Sequence, residues 1–180
     1  MAAALVLKMS ISLDGFVAPA EGGDPDWSTA GRSEDGAAWT AATLGGTTAH
    51  LIGGSTYTAW STFWPTMAGP IADAMNDLPK VVFSRSLTAT EWGPATIAAG
   101  DLTDEVTRLK QAHDGYLLAQ GGTTFARALV QAGLIDEYRL VVHPVVLGTG
   151  VPLFDAPLVL TPVSTTAFSR GAVVHVFTAG

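Results

Sequence analysis

Apolar and polar side chains alternate from Leu5 to Ile11, with Lys8 and Ser10 as the polar positions, and this period of two predicts a first strand. A loop from Asp14 to Ala30, rich in Gly, Pro and Asp, follows and is long for a simple connection. Glu34 to Thr43 predicts a helix around Trp39. His50 to Ile52 is a short apolar strand that runs into Gly53-Gly54-Ser55-Thr56, a glycine turn ahead of another helix. Ile71 to Asp77 is helical until Pro79, Lys80 to Ser84 is a strand, and Asp101 starts a helix with Leu102, Val106 and Leu109 on one face. Asp114-Gly115 then turns the chain into a strand over Tyr116 to Gln120. Tyr138 to Val146 and Ala172 to Thr178 are β-branched runs that predict late strands, separated by a loop from Leu147 to Pro157. Strands alternate with helices, so the predicted class is α/β. No repeat or linker divides the chain, and residues 1–180 read as one domain.

Between Gln120 and a helix predicted over Thr123 to Ala132 stands the pair Gly121-Gly122. A chain that turns this sharply into a helix needs residues without Cβ, and the first helical amides then face outward without an internal partner. Such amides suit a phosphate. Thr123 and Thr124 are expected to cap this helix, Phe125 and Leu129 to share a face, and Gly133 to close it in a left-handed conformation with Leu134 packed on Leu129. The competing expectation is that the pair serves only close packing of strand and helix.

Composition narrows the partners. At 180 residues and 48% hydrophobic content, the chain can bury one sizeable core. No apolar run reaches the roughly 18 residues of a membrane helix, and Met1 to Leu7 leads through Lys8 into strand alternation rather than a cleavage site, so a cytoplasmic protein is expected. The formal net charge is -7, and nine Lys and Arg residues that never cluster make a nucleic-acid surface unexpected. With no cysteine there is neither a disulfide framework nor a thiolate metal site. High apolar content with only 14% charged residues makes a homodimer the expected assembly.

Four stretches carry a resemblance. Ser12-Leu13-Asp14-Gly15-Phe16, Ile52-Gly53-Gly54-Ser55-Thr56-Tyr57, Leu78 to Leu87, and Gly121 through Gly133-Leu134-Ile135-Asp136-Glu137 to His143 to Gly150 and Leu153-Phe154 follow in an order and spacing similar to the dihydrofolate reductase-like family that includes the riboflavin-biosynthesis reductase domain. The resemblance covers nearly the whole chain. It implies a three-layer α/β fold, a central and mostly parallel sheet flanked by helices, with NADPH lying across the strand ends. Carried over residue by residue, it implies that Gly53, Gly54, Ser55 and Thr56, with Gly121, Gly122, Thr123 and Thr124, hold the pyrophosphate. Ser84 and Arg85 would face the adenosine 2′-phosphate, with Gly15 also near the cofactor. Two departures stand out. Gly54 occupies a place where many relatives carry Arg, which leaves NADH as an alternative to NADPH, and Gln120 stands where riboflavin-pathway reductases carry Glu.

Hydride transfer demands positioning more than covalent help. Asp14, after the first strand, is a candidate for proton handling or for orienting substrate and carboxamide, since a carboxylate in an enclosed cleft can have a raised pKa. The competing expectation is turn formation, Asp before Gly being a common turn signal. Trp27, Tyr57, Trp60 and Phe154 are candidates for a flat aromatic pocket, and core packing explains any one of them equally well. The four histidines show no metal-ligand spacing, no metal is expected, and His143 before Pro144 reads as a strand-end structural residue. The implied function is an NADPH-dependent oxidoreductase of a small heterocyclic or carbonyl substrate. One alternative is the 5-amino-6-(5-phosphoribosylamino)uracil reductase of riboflavin biosynthesis, for which Arg32 is the nominated phosphate cation. A non-catalytic nucleotide-binding protein is the alternative of another class.

Overall fold

Leu5, Leu7, Met9 and Ile11 of the first strand point to one face of a sheet while Val6 points to the other, so the alternation in Ala4–Ser12 (β1) buries apolar residues on both sides. A computed structural model describes residues 2–180. Along the chain follow Phe16–Pro19 (β2), Glu34–Gly45 (α1), Thr47–Gly53 (β3), Gly54–Phe63 (α2), Pro70–Asp77 (α3), Lys80–Phe83 (β4) and Ala95–Ile97 (β5). Next come Leu102–Ala112 (α4), Tyr116–Gln120 (β6), Thr123–Gln131 (α5), Glu137–His143 (β7), Gly150–Pro152 (β8), Leu160–Ala167 (β9) and Val173–Ala179 (β10). Single 3₁₀ turns form at Trp27–Thr29 and Trp64–Thr66.

An eight-stranded sheet takes the order β5-β4-β3-β6-β1-β7-β10-β9. From β5 to β7 all neighbours are parallel, while β10 runs antiparallel to β7 and β9. One apolar layer joins the sheet to α4 and α5 through Val106, Leu109, Ala126 and Leu129. The opposite layer joins it to α1, α2 and α3 through Leu44, Tyr57 and Met75. With both faces covered, Leu117, Leu118 and Ala119 of β6 form an uninterrupted buried apolar run, as a central parallel strand requires. No helix is long and apolar enough to cross a membrane among the described residues.

Several elements differ from the sequence expectation. The loop Asp14 to Ala30 contains β2, which pairs with β8 inside the second long loop. The strand predicted to Val146 stops at His143, because Pro144 has no N–H to donate to the ladder. The expectation omits β9, an edge strand exposed along nearly its whole length, whose Thr, Ser and Pro residues lack a buried face. Its Pro162 is tolerated beside a register shift between Val176 and Phe177. The short edge strand β5 was likewise missing, and α1 continues two residues past Thr43.

Candidate active site

The two glycine turns meet at the carboxyl ends of β3 and β6, adjacent parallel strands. Gly121 and Gly122 adopt positive φ of 65° and 69°. A Cβ on Gly121 would lie 2.8 Å from the Trp60 ring, and one on Gly122 would lie 2.5 Å from Thr56 Oγ1. A Cβ on Gly53 would meet Phe125 Cβ at 2.9 Å, and one on Gly54 would meet Ser84 Oγ at 2.6 Å. The ends of β4, β3 and β6 are therefore fitted together by absent side chains.

Both turns open into helices without a side-chain cap: Gly53 precedes α2 and Gly122 precedes α5. By contrast Ser33 caps α1 and Asp101 caps α4, each accepting a backbone N–H. Thr123 and Thr124 were expected to cap α5. They lie inside its first turn instead, because Gly122 takes the capping position, and no side-chain oxygen satisfies the first amides. At the far end Gly133 is left-handed and the Leu134 N–H donates to Leu129 O, closing the helix as its sequence indicated.

Beside the turns lies a cleft of about 760 Å³ over the α1, α2 and α3 face of the sheet. Its floor carries Lys8 and Ser10 of β1, Gln120 of β6 and His143 of β7. His143 is buried: Nδ1–H donates to Ala30 O (2.7 Å) and Nε2 lies 3.0 Å from the Ser10 hydroxyl. Burial lowers its pKa, with the Ala30 contact opposing. Trp27 meets the His143 ring edge-on at 5.7 Å, forming one wall. Trp60, edge-on to Trp64 at 6.2 Å, forms the other. Gln120 is nearly buried, with Nε2 3.1 Å from Met75 Sδ.

Burial pushes the Lys8 ammonium down to about 8. Under Trp60 sits His50, fully buried, its ring 5.9 Å from the indole. Burial first, then the charges of Lys80 and Lys8, push His50 down to about 3, so it is neutral at physiological pH. Its ring approaches the backbone of Gln120 without closing a hydrogen bond of normal geometry. A second hollow, of about 440 Å³, lies between α4 and β4 and β5, away from both glycine turns.

Of the residues expected in the site, Trp27, Trp60, Gly121, Gly122 and Thr123 line the cleft. Thr56 adjoins them at Gly122, Gly53 and Gly54 face Phe125 and Ser84 outside the cleft lining, and Ser55 and Thr124 stand exposed in the first turns of α2 and α5. Ser84 lies against Gly54 and accepts the Leu87 N–H, while Arg85 is exposed beside it. Asp14 and Gly15 lie outside the cleft, in the turn after β1. There the Asp14 carboxylate accepts the Ser12 hydroxyl (2.7 Å) and the Leu147 and Gly148 N–H groups (3.0 and 2.7 Å). These bonds, that from Ser12 foremost, lower its pKa. The expected raised pKa is corrected, because the charged form is hydrogen-bonded and open to solvent.

Tyr57 is also corrected. The first turn of α2 rotates it into the core, where its hydroxyl accepts the Trp92 N–H (2.7 Å) and meets Trp92 O (3.1 Å). Phe154 packs instead against Tyr138, ring centroids 5.8 Å apart, in the layer on the opposite face of the sheet. Lys8, Ser10, Trp39 and Trp64 line the cleft and were not among the expected site residues. The polar positions of the first strand were the available signal for Lys8 and Ser10.

Comparison with known proteins bears on the family and the fold. The family profile described as RibD C-terminal domain matches residues 3–174. The chain is 30% identical over 182 aligned positions to YyaP of Bacillus subtilis (strain 168), covering 96% of this chain and 93% of YyaP. A protein from Shewanella sp. PV-4 described as a riboflavin biosynthesis protein superposes with a TM-score of 0.76 at 21% identity, covering 100% of this chain and 99% of that one. The diaminohydroxyphosphoribosylaminopyrimidine deaminase/5-amino-6-(5-phosphoribosylamino)uracil reductase of Thermotoga maritima superposes with 0.72 at 15% identity, covering 99% of this chain and 57% of that one. The last two likenesses establish a shared fold.

Proposed function

The chain belongs to the RibD C-terminal domain family, and from that premise we propose that it is an NADPH-dependent reductase acting on a small heterocyclic or carbonyl substrate. The observation that carries this reading is the pair of uncapped helix N-termini abutting at Gly53-Gly54 and Gly121-Gly122, beside an aromatic cleft. Outward amides with helix dipoles behind them suit a pyrophosphate. The first amides of α2 and α5 are left without a side-chain cap beside the cleft, so a dinucleotide fits the residues present, while the space a Cβ would take at each glycine is filled by Phe125, Ser84, Trp60 and Thr56.

In this reading the amides at the starts of α2 and α5 hold the pyrophosphate, with Thr56, Thr123 and Thr124 supplying hydroxyls. Ser84 and Arg85 hold the 2′-phosphate, a role suited to a guanidinium fork. Bound NADPH supplies the hydride. Trp27 and Trp60 exclude water from the floor. Lys8, whose pKa lies near 8, holds the acceptor's heteroatom and supplies a proton to it. Gln120 stands beside Lys8 without adding a charge.

A second reading, reduction of the phosphorylated substrate for which the Thermotoga protein is named, is favoured by one observation: Arg32 lines the cleft. Calorimetric titration with NADPH and NADH, followed by cofactor absorbance in the presence of acceptors, tests both. NADPH is expected to bind more tightly and to be consumed with a heterocyclic or carbonyl acceptor. Cofactor binding without consumption across both substrate classes would leave a nucleotide-binding protein, and failure to bind either cofactor would overturn the reading.

A further inference from the structure

Ser10 and His143 stand 133 positions apart in the sequence and meet on the cleft floor, where both line the surface. Parallel pairing of β1 and β7 sets His143 opposite Ser12, and its ring reaches back to the Ser10 hydroxyl, 3.0 Å from Nε2. The other ring nitrogen, Nδ1, lies 2.7 Å from Ala30 O, an oxygen that only accepts, so Nδ1 carries the hydrogen. Burial is the largest influence on this ring; it lowers the pKa and favours the neutral form. A neutral ring with its hydrogen on Nδ1 presents a lone pair at Nε2, toward the hydroxyl. Two contacts thus join a nucleophile, a base and an acceptor that orients the base, which is how a serine is activated.

We propose that Ser10 and His143 are a nucleophile and its general base, and that the cleft hydrolyses short-chain carboxylic esters through an acyl-Ser10 intermediate without a nicotinamide cofactor. The reductase reading neither needs this activity nor supplies it.

Ser10 Oγ attacks the ester carbonyl carbon while its proton passes to His143 Nε2. The bond from that carbon to the alkoxy oxygen then breaks, and the alcohol leaves with the proton from Nε2. Water next attacks the acyl carbon, giving a proton to Nε2. The carboxylic acid departs as Oγ recovers that proton. Each attack develops a negative oxygen that calls for a donor. Lys8 shares with Ser10 the face of β1 turned away from Leu7 and Met9, and the two residues stand about 6 to 7 Å apart along the strand. No Asp or Glu lines the cleft among the described residues, so the Lys8 charge is not neutralised there. Ala30 supplies a backbone carbonyl where a carboxylate would better stabilise the imidazolium, and slow turnover is expected.

Incubating the whole protein with p-nitrophenyl acetate, without cofactor, tests this through nitrophenolate release and mass spectrometry of the acid-quenched protein. Release above the buffer rate is expected, with one acetyl group mapped to Ser10 as an ester that hydroxylamine cleaves. Ser10→Ala and His143→Gln should each lower kcat/KM about a hundredfold or more, and thermal unfolding establishes that both are folded. Should either fail to fold, labelling of the unmodified protein by an alkyl fluorophosphonate decides: a label on Ser10 supports the inference and its absence overturns it. An acetyl group found only on Lys8, as an amide that resists hydroxylamine, would overturn it, as would undiminished release by folded Ser10→Ala. A parallel NADPH titration keeps the two claims apart. Ester hydrolysis at Ser10 by a protein that binds neither NADPH nor NADH removes only the reductase reading, whereas NADPH consumption by a protein whose Ser10 stays unlabelled removes only this inference.

Discussion

Lys8 and Gln120 stand opposite each other across β1 and β6, at the same register, and both line the cleft. Neighbouring strands lie about 4.8 Å apart, so the lateral neighbour of this ammonium is an uncharged amide. Burial therefore acts on Lys8 without a compensating carboxylate there, and its pKa falls to about 8.

Replacing Lys8 by Met should stabilise the protein at pH 7 while impairing substrate binding, as expected where a site is built at the expense of stability. The folded pKa of about 8 lies below the ordinary value of 10.5. Between these values the unfolded chain binds more protons, so the Lys8 contribution to stability improves as pH rises through that window. The advantage of the Met variant should be largest at pH 7 and shrink by pH 10. Thermal unfolding of both proteins at the two pH values checks this, and a variant less stable at pH 7 would contradict it.

Gln120→Glu should move the Lys8 titration upward. A carboxylate within about 4 to 6 Å favours the ammonium by about one to three pKa units, so the alkaline limb of the activity or ligand-binding profile should shift to higher pH. An unmoved limb would show that another group titrates there.

Asp14→Asn should loosen the contact between the turn after β1 and the Leu147-Gly148 turn, yet leave proton transfer intact. Both carboxylate oxygens accept backbone N–H groups there, which an amide side chain cannot reproduce. The folded pKa is depressed, so the carboxylate contributes stability above its unfolded pKa and loses it as pH falls through the folded one. The difference in unfolding midpoint between wild type and variant should therefore be present at pH 7 and fade in acid. Loss of turnover with unchanged stability would restore Asp14 as a proton-handling residue.

The glycine turns were legible because their information is local. A strand end, two residues without Cβ and a helical run define the geometry at Gly121-Gly122, and Gly133 marks the helix end in the same way. Lys8 was not legible as a site residue, because in a strand of period two it is simply a polar position. Only the sheet order, which inserts β6 between β3 and β1, places it beside Gln120. Tyr57 illustrates the opposite error. It follows a phosphate-type turn in sequence, but helical rotation carries its ring into the core rather than over the cleft.

Arg85→Ala should narrow the preference for NADPH over NADH. The guanidinium is exposed and makes none of the ion pairs found among the described residues, so it is free to meet a phosphate. Exposure places the expected loss near the lower end for charged hydrogen bonds, about 1.5 kcal/mol, or roughly tenfold in NADPH affinity. Affinity for NADH should change little. Equal calorimetric affinities for both cofactors in the unmodified protein would remove the basis for assigning Arg85 this role.

The joint between Gly122 and Thr56 carries the final prediction. With φ at 69°, Gly122 occupies a conformation that costs another residue about 1 to 2 kcal/mol, and a Cβ there would also lie 2.5 Å from Thr56 Oγ1. Gly122→Ala should therefore both destabilise the fold and weaken NADPH binding, since the α5 amides could no longer keep their place beside α2. Thr56→Ala removes the clashing atom, so the double variant should recover the steric part of the stability loss and leave the backbone part. Gly122→Asp adds negative charge beside the pyrophosphate and should abolish NADPH binding even where the chain remains folded. Thermal unfolding and NADPH titration of the two single alanine variants, the double variant and the Asp variant separate these terms. Strict additivity of the two alanine substitutions would show that the turns are not in steric register. A folded Gly122→Asp protein with undiminished NADPH affinity would show that this turn serves packing alone.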